Sequence, residues 1–323
     1  MKKFLGLLFF IVVLNGCDDG DLKIVNVNFD SIVAASCGET IYKINGNEAL
    51  FIKIPATENA FLNDATLVNS PRIKTIGSGI SVTYRAYNGN ITAANICDTP
   101  SPISPNAIEE WVATSGTIEI TTIPVYSTPN VTTGATKITK YIHNIVFKNI
   151  VFSKPGGDQV YESFAFGEYS TTPATLPLTI NPDNVGVCPS NQLVYNVSTS
   201  GIEGMFIQNF DPVLLATTDL GVAKTALISS TNNKLVYRLF KTALTTANAN
   251  YFCASTLPTT PEVNEEWIAK TGVSNVSGII EVITTTNGSG FLHTIRLKAV
   301  TFQKGNSTFY LGDDILYGSL LTN

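Results

Sequence analysis

Residues 97–116 read CDTPSPISPNAIEEWVATSG, and residues 253–272 read CASTLPTTPEVNEEWIAKTG. The two stretches share a cysteine, two prolines, a pair of glutamates, a tryptophan and a final glycine at identical spacing. The chain has only two tryptophans and two histidines, and each pair is related by this repeat: Trp111 with Trp267, and His143 with His293. Agreement of this kind at a long period predicts that the fold is built twice from one unit.

The composition favours strands over helices in both repeats. The 323 residues include 24 glycines and 15 prolines, and Thr, Asn, Ser, Val and Ile are abundant. Thr117–Val125 and Gly278–Thr285 alternate apolar and polar residues, which is the period of a half-buried strand. We therefore expect a mainly all-β protein of two tandem, repeated, antiparallel β-sandwich-like domains, each with one short helix and one disulfide.

A longer strand in each repeat carries a change of face. In Ile138–Lys154 one face holds Tyr141, His143, Ile145 and Phe147, and past Lys148 the apolar parity changes to Ile150 and Phe152. The second repeat makes the same change. Because successive strand residues point to opposite faces, this change predicts a β-bulge or bend near Asn149 and Ala299. Turn residues then lead to closing strands over Gln159–Gly167 and Thr308–Gly318.

The expected helix of each repeat follows from its flanking residues. Pro105 stands at the first helical position and Gly116 just past the end, and the second repeat has Pro261 and Gly272 at the same places. Proline at the start of a helix and glycine after its end are common in proteins. One apolar stripe of these helices would hold Trp111 with Ala107, Ile108 and Val112, and its counterpart would hold Trp267 with Val263 and Ile268.

The cysteines divide into two repeat-related pairs and one remainder. Cys37 corresponds to Cys188 and Cys97 to Cys253, which leaves Cys17. Paired cysteines in an exported chain predict disulfides, and the duplication selects Cys37–Cys97 and Cys188–Cys253 among three pairings. Two cysteines and one histidine per repeat, without zinc-site spacing, are a poor ligand set for zinc. We expect neither a metal nor a cofactor.

The N-terminus has the layout of a secretory signal. Lys2 and Lys3 precede the apolar run Phe4–Leu14, which is shorter than the roughly 20 residues of a membrane span. The run ends in Leu-Asn-Gly-Cys at residues 14–17, a lipoprotein cleavage pattern. Cys17 would become the first mature residue and carry the lipid.

An acidic run follows that cysteine, with Cys-Asp-Asp-Gly-Asp at residues 17–21. Together with the signal, it resembles the acidic export tag of surface-exposed lipoproteins of the Bacteroidota. The resemblance covers about twenty N-terminal residues. It implies a protein that is anchored in the outer membrane by its N-terminal lipid and exposed at the cell surface. The alternative is that the aspartates form only a solvated tether.

These features divide the chain into five parts. We expect a lipoprotein signal peptide at 1–16, a lipidated cysteine and acidic tether at 17–23, β repeat domain 1 at 24–169, a linker at 170–176 and β repeat domain 2 at 177–323. The formal net charge is −5 and only 14% of the residues are charged, so the chain lacks the basic surface that nucleic acid requires.

Two duplicated pairs are candidates for ligand binding. Trp111 and Trp267 could present aromatic faces to a sugar, although large aromatics more often fill a core. Arg85 and Arg238 each follow a tyrosine in an expected strand and could clamp a ligand. The alternative for each arginine is an ion pair with a carboxylate of the fold.

Two further sets of residues are candidates for catalysis. His143 and His293 could act as bases or metal ligands, but their apolar neighbours favour neutral, buried histidines. The adjacent glutamates at 109–110 and 265–266 do not suit glycosidic cleavage, because that chemistry needs two carboxyls that face each other across about 5–9 Å. Nucleophile elbows, phosphate loops, dinucleotide fingerprints and zinc-protease motifs are missing from the sequence.

The sequence therefore favours a lipid-anchored cell-surface protein that is not an enzyme and serves as a binding or envelope-structural module. Its expected partners are the outer membrane and an extracellular glycan or protein ligand, with no nucleic acid. The alternative function is a surface glycan-degrading or peptide-processing enzyme whose site carries no recognisable motif.

Overall fold

The computed structural model describes residues 27–245 and 250–323. The expected signal peptide, the lipidated Cys17 and the acidic tether lie outside the described residues. Within the described part of the chain, none of the helices has the length and apolar character needed to cross a membrane.

The first repeat folds into one antiparallel sheet of eight strands with the order β1-β2-β3-β5-β6-β7-β8, in which β4 also pairs with β6. One short helix, α1 (Ala94–Cys97), follows β5. The strands are β1 (Ala35–Cys37), β2 (Thr40–Asn45), β3 (Glu48–Lys53), β4 (Arg72–Thr75), β5 (Ser81–Tyr87), β6 (Ala107–Tyr126), β7 (Ile138–Ser153) and β8 (Gln159–Thr171).

The second repeat folds into an antiparallel sheet of nine strands with the order β12-β15-β16-β14-β13-β11-β10-β9, in which β17 pairs with β16. The strands are β9 (Ile180–Cys188), β10 (Leu193–Ser198), β11 (Glu203–Gln208), β12 (Ala223–Leu227), β13 (Lys234–Phe240), β14 (Val263–Ala269), β15 (Ile279–Asn287), β16 (Gly290–Lys304) and β17 (Ser307–Thr322). Short 3-10 turns occupy Ala56–Glu58, Pro189–Asn191 and Pro212–Leu215.

Each sheet curls around its own core, so the prediction of two tandem all-β, sandwich-like domains is confirmed. In the first repeat β2 meets β8, where a Cβ atom on Gly167 would lie 2.8 Å from Nζ of Lys43. In the second, β10 meets β17, where the amide of Asn196 donates to the carbonyl of Tyr317 at 2.6 Å. The apolar side chains of each curled sheet enclose a separate core.

The change of face in the long strands is confirmed. In β7 the side chains of Tyr141, His143, Ile145 and Phe147 are buried, and beyond the bend burial continues at Ile150 and Phe152. Asn149 and Ala299 both adopt left-handed backbone angles, with φ of 49° and 48°. The pairing register shifts beside both residues, since the partner strand must accommodate the bend.

The prediction of helices after Pro105 and Pro261 is wrong, because β6 begins at Ala107 and β14 begins at Val263. Burial in β6 alternates: Trp111 is 1% exposed, whereas Ile108 and Val112, expected on the same helical stripe, are 67% and 41% exposed. The strand is stabilised by pairing with β5, in which Tyr84 lies opposite Trp111. Tertiary pairing outweighs the local proline and glycine signals here.

Gly116, expected to follow the helix, instead allows β6 to bend. Its φ is +123°, and a Cβ atom on it would lie 2.7 Å from the Cα atom of Ile150 in β7. Only glycine permits both this backbone angle and this approach of two strands.

Both predicted disulfides are present. Cys37 and Cys97 join the end of β1 to the end of α1, with a Cα–Cα distance of 5.9 Å. Cys188 and Cys253 join the end of β9 to the segment before β14, with a Cα–Cα distance of 5.2 Å. Each bridge lies within one repeat, as the duplication implies.

Candidate functional site

The two repeats are held together by hydrogen bonds at the turn between β16 and β17. Oδ1 of Asp64, from the first repeat, accepts the backbone N–H groups of Asn306 at 2.9 Å and Ser307 at 3.1 Å. It also accepts the hydroxyl of Ser307 at 3.1 Å, and that hydroxyl oxygen accepts the N–H of Ala65 at 2.9 Å. One carboxylate thus fixes the turn of the other domain, and hydrogen bonds to charged groups are the stronger kind.

The loop between β6 and β7, residues 127–137, adds a second contact along the edge of β17. The N–H of Thr136 donates to the carbonyl of Tyr310 at 2.9 Å, and the N–H of Tyr310 donates to Oγ1 of Thr136 at 3.1 Å. The N–H of Asp313 donates to the carbonyl of Thr133 at 2.8 Å. The first repeat therefore covers backbone groups that an edge strand would otherwise expose.

The segment that joins the repeats is fixed by two side chains. Glu203, which is fully buried, accepts the N–H groups of Leu178 at 2.9 Å and Thr179 at 2.7 Å. From the first repeat, the ammonium group of Lys137 donates to the carbonyls of Leu176 at 3.2 Å and Pro177 at 3.3 Å. The connection is thus held against both domains.

Beside these contacts lies an inter-repeat cavity of about 260 Å³, which is partly open to solvent. Both repeats and the joining segment supply its walls. The charged groups at the cavity are Lys137, Glu265 and Lys304, and its main apolar walls are Ile138, Ala174, Leu176, Leu178, Trp267 and Phe309. A concave, mostly apolar site with few polar groups is the usual form of a small-molecule site, although this cavity is slightly below the common range of about 300–1,000 Å³.

The two tryptophans differ in the partner of the indole N–H. In the first repeat, Nε1 of Trp111 donates to Oε1 of Glu109 at 2.7 Å. In the second, the equivalent Glu265 pairs with Lys304 at 2.5 Å, and Nε1 of Trp267 is buried without a partner among the described residues. A buried donor without an acceptor destabilises the fold by about 1–3 kcal/mol. Trp267, which is 4% exposed, therefore holds an unused donor beside the cavity.

A lysine ammonium lies over one face of each indole ring. The ammonium of Lys154 lies 4.9 Å from the ring centre of Trp111, and that of Lys304 lies 5.5 Å from the ring of Trp267. Phe309 meets Trp267 edge-on, with ring centres 5.0 Å apart. Stacking of a sugar on the face that the ammonium covers would require the cation to move away first.

Both histidines are fully buried and bonded at both ring nitrogens. Thr122 Oγ1 lies 2.8 Å from Nδ1 of His143, and Thr171 Oγ1 lies 2.9 Å from Nε2. The hydroxyl of Thr171 donates to Asn63 at 2.6 Å, so it accepts the proton of Nε2, and Nδ1 accepts the hydroxyl of Thr122. Burial, together with the charge of Arg72, lowers the pKa of His143 to about 4.

The second histidine repeats this arrangement. Thr284 lies 2.9 Å from Nδ1 of His293, and Thr322 lies 2.9 Å from Nε2. Burial lowers the pKa of His293 below its ordinary value, and the charge of Lys224 lowers it further. Neutral imidazoles enclosed between two hydroxyls have no nitrogen left for a substrate or a metal ion.

The two arginines are engaged in equivalent ion pairs. Arg85 pairs with Glu110 and lies 5.1 Å from the ring centre of Phe51. Arg238 pairs with Glu266 at 2.6 Å, and its guanidinium lies 5.3 Å from the ring centre of Phe206. Each guanidinium is thus held by an aromatic face of its own sheet as well as by the carboxylate.

The adjacent glutamates point to opposite faces of their strands, because neighbouring strand residues alternate. Glu109 shares the inner face with Trp111, and Glu110 lies on the outer face with Arg85. The carboxyl groups of such a pair do not face each other across a substrate. In the ranges 27–245 and 250–323, no three His, Cys, Asp or Glu side chains are grouped so that they could hold a metal ion.

The structure thus brings two of the singled-out residues, Trp267 and Glu265, to the inter-repeat cavity and leaves Trp111, Arg85 and Arg238 elsewhere. Sequence analysis missed Lys137, Lys304 and the joining segment as cavity walls. The one available signal was that residues 127–137 lack a counterpart in the second repeat, where a tight turn, Asn287–Gly290, joins β15 to β16.

No protein-family model matches this chain, and neither the curated proteins nor the solved structures include a significant match to it.

Proposed function

We propose that this chain is a lipid-anchored cell-surface protein that binds an extracellular ligand in the inter-repeat cavity and catalyses no reaction. The observation that carries the proposal is the cavity itself, to which both repeats and the joining segment contribute. Duplicated β domains that are docked by Asp64 and by residues 127–137 present this cavity as a fixed site. Preorganised sites of this kind lose little conformational entropy on binding.

The state of the candidate catalytic groups supports binding rather than turnover. His143 and His293 are enclosed by threonine hydroxyls on both sides of each ring. The glutamates that follow Pro105 and Pro261 are bonded to a tryptophan, an arginine or a lysine. A catalytic base has to lie within hydrogen-bond reach of a substrate proton, and these groups are occupied by the fold.

The proposed localisation rests on the N-terminal residues alone. A lipid on Cys17 would hold the protein in the outer membrane, because each buried methylene of the acyl chains contributes about 0.8 kcal/mol to membrane binding. The acidic residues after Cys17 favour display at the cell surface. The ligand would then be an extracellular glycan, protein or small molecule.

The test combines binding and turnover on the same protein. Residues 18–323 would be applied to glycan and peptide arrays and incubated with panels of glycosidase and peptidase substrates. We expect reproducible array signals and no turnover. Variants His143→Gln and Glu265→Gln would be assayed beside the wild type, and turnover that either substitution abolishes would overturn the proposal in favour of the enzyme.

A further inference from the structure

We propose that the inter-repeat cavity takes an apolar group that carries a carboxylate, either a small apolar acid or the C-terminal residue of a peptide. This inference rests on the proposed function and specifies the ligand of the same cavity. Three independent features of the cavity carry it: the balance of charge, the apolar walls and the unused donor of Trp267.

The charged groups of the cavity leave one positive charge without a carboxylate. Glu265 is paired with Lys304. Among the described residues, Lys137 forms no ion pair with a carboxylate, and its ammonium donates to the backbone carbonyls of Leu176 and Pro177. Two cations against one anion attract an anionic ligand, and a monovalent carboxylate would make the site neutral.

The apolar walls of the cavity favour a ligand that carries an apolar group beside its carboxylate. Ile138, Leu176, Leu178 and Phe309 present aliphatic and aromatic surface to the cavity. A volume of about 260 Å³ suits one ring or one branched side chain, such as the terminal group of a longer ligand. Inorganic anions gain nothing from these walls, so the carboxylate has to belong to an apolar group.

The first repeat shows what Trp267 lacks. There Glu109 accepts the indole N–H of Trp111, whereas Glu265 is turned away towards Lys304. When a ligand carboxylate binds Lys304, the carboxylate of Glu265 becomes available to accept the N–H of Trp267. Binding then exchanges one ion pair for another and satisfies a buried donor that has no other acceptor among the described residues.

The experiment uses the two tryptophans as reporter and internal control. The full chain, labelled with ¹⁵N-tryptophan, gives two indole N–H cross-peaks, which Trp111→Phe assigns. The probes are 3-phenylpropionate and the peptide acetyl-Gly-Gly-Leu with a free carboxylate. Their matched controls, 3-phenylpropanamide and the amidated peptide, have the same apolar groups without the charge.

We expect a carboxylate probe to move the Trp267 cross-peak towards the position of a hydrogen-bonded indole and to leave the Trp111 cross-peak unchanged. The amides should bind at least about tenfold more weakly, since they lack the negative charge that the lysines attract. Lys137→Met should weaken binding of the acid by a similar factor. The control Lys148→Met, whose lysine bonds Ser163 in the first repeat, should not.

If only one of the two acids moves the Trp267 cross-peak, the inference is supported and that acid identifies the source of the carboxylate. Equal affinity for acids and amides, or a Trp267 cross-peak that stays fixed with both acids at concentrations of about 1 mM and above, overturns it. If the acids fail in this way but the arrays give a reproducible signal, the protein still has the proposed binding function, with a different class of ligand.

Discussion

Acid should destabilise this protein through its two buried histidines, because folding lowers the pKa of both. The folded pKa of His143 is about 4, against 6.5 for the free side chain. Between these values the unfolded chain binds more protons than the folded chain, so the stability is complete above pH 6.5 and decreases as the pH falls towards 4. At 1.36 kcal/mol per pKa unit, His143 alone removes about 2 kcal/mol by pH 5 and about 3 kcal/mol by pH 4.

The assay is urea unfolding, followed by circular dichroism, at pH values from 8 down to 5. This window lies above the ordinary pKa of carboxyl groups, which would otherwise add their own titration. His293 adds to the loss, because its folded pKa is also lowered. In the double variant His143→Gln/His293→Gln, which keeps polar side chains but has no imidazole, the free energy of unfolding should be nearly constant across the window. A wild-type stability that is flat from pH 8 to 5, or a variant as acid-sensitive as the wild type, would refute this reasoning.

Further predictions concern the tryptophans, the bend, the docking contact and the anchor. Trp111→Phe should lower the free energy of unfolding by about 1–2 kcal/mol more than Trp267→Phe, because only Trp111 loses a hydrogen bond, to Glu109. Equal losses for the two variants in urea unfolding would contradict this reasoning. Gly116→Ala should destabilise by about 1–3 kcal/mol, and more than Gly38→Ala, since an added Cβ meets Ile150 at the first site and nothing within 4 Å at the second. Asp64→Ala should increase protease cleavage in the segment between the repeats, because three hydrogen bonds to the turn of the second repeat are lost, and unchanged cleavage would show that Asp64 does not hold the domains together. Cys17→Ser should abolish labelling by radioactive fatty acid, and labelling that persists would refute lipidation at this residue.

The strand pattern was predictable because it is local and occurs twice. Burial at every second residue, and its shift at Asn149 and Ala299, follows from the side-chain period of a strand. The helix after Pro105 was mispredicted because its signals are also local, whereas the pairing of Trp111 opposite Tyr84 depends on residues far away in the chain. The local pattern therefore predicts the structure correctly where the strand pairing with distant residues favours the same structure.

The cavity was not predictable for a related reason. Lys137 lies in a loop that only the first repeat has, and Leu176 lies in the segment between the repeats, so the duplication marks neither of them. Their approach to Trp267 arises from the docking of one domain on the other through Asp64. The sequence does place Trp267 and Glu265 in a conspicuous motif, yet the identical motif in the first repeat forms no part of the inter-repeat cavity.

The central claim, that the inter-repeat cavity is the binding site, is tested most directly by filling it. Ala174 lines the cavity, and Ala174→Trp would occupy its volume, whereas Ala165→Trp places the same side chain on an exposed position of β8. The measurement is calorimetric titration of the wild type and both variants with the strongest ligand from the arrays. The account predicts an affinity at least about tenfold lower for Ala174→Trp, with unchanged melting, and wild-type affinity for Ala165→Trp. Wild-type affinity in a correctly folded Ala174→Trp variant would contradict it.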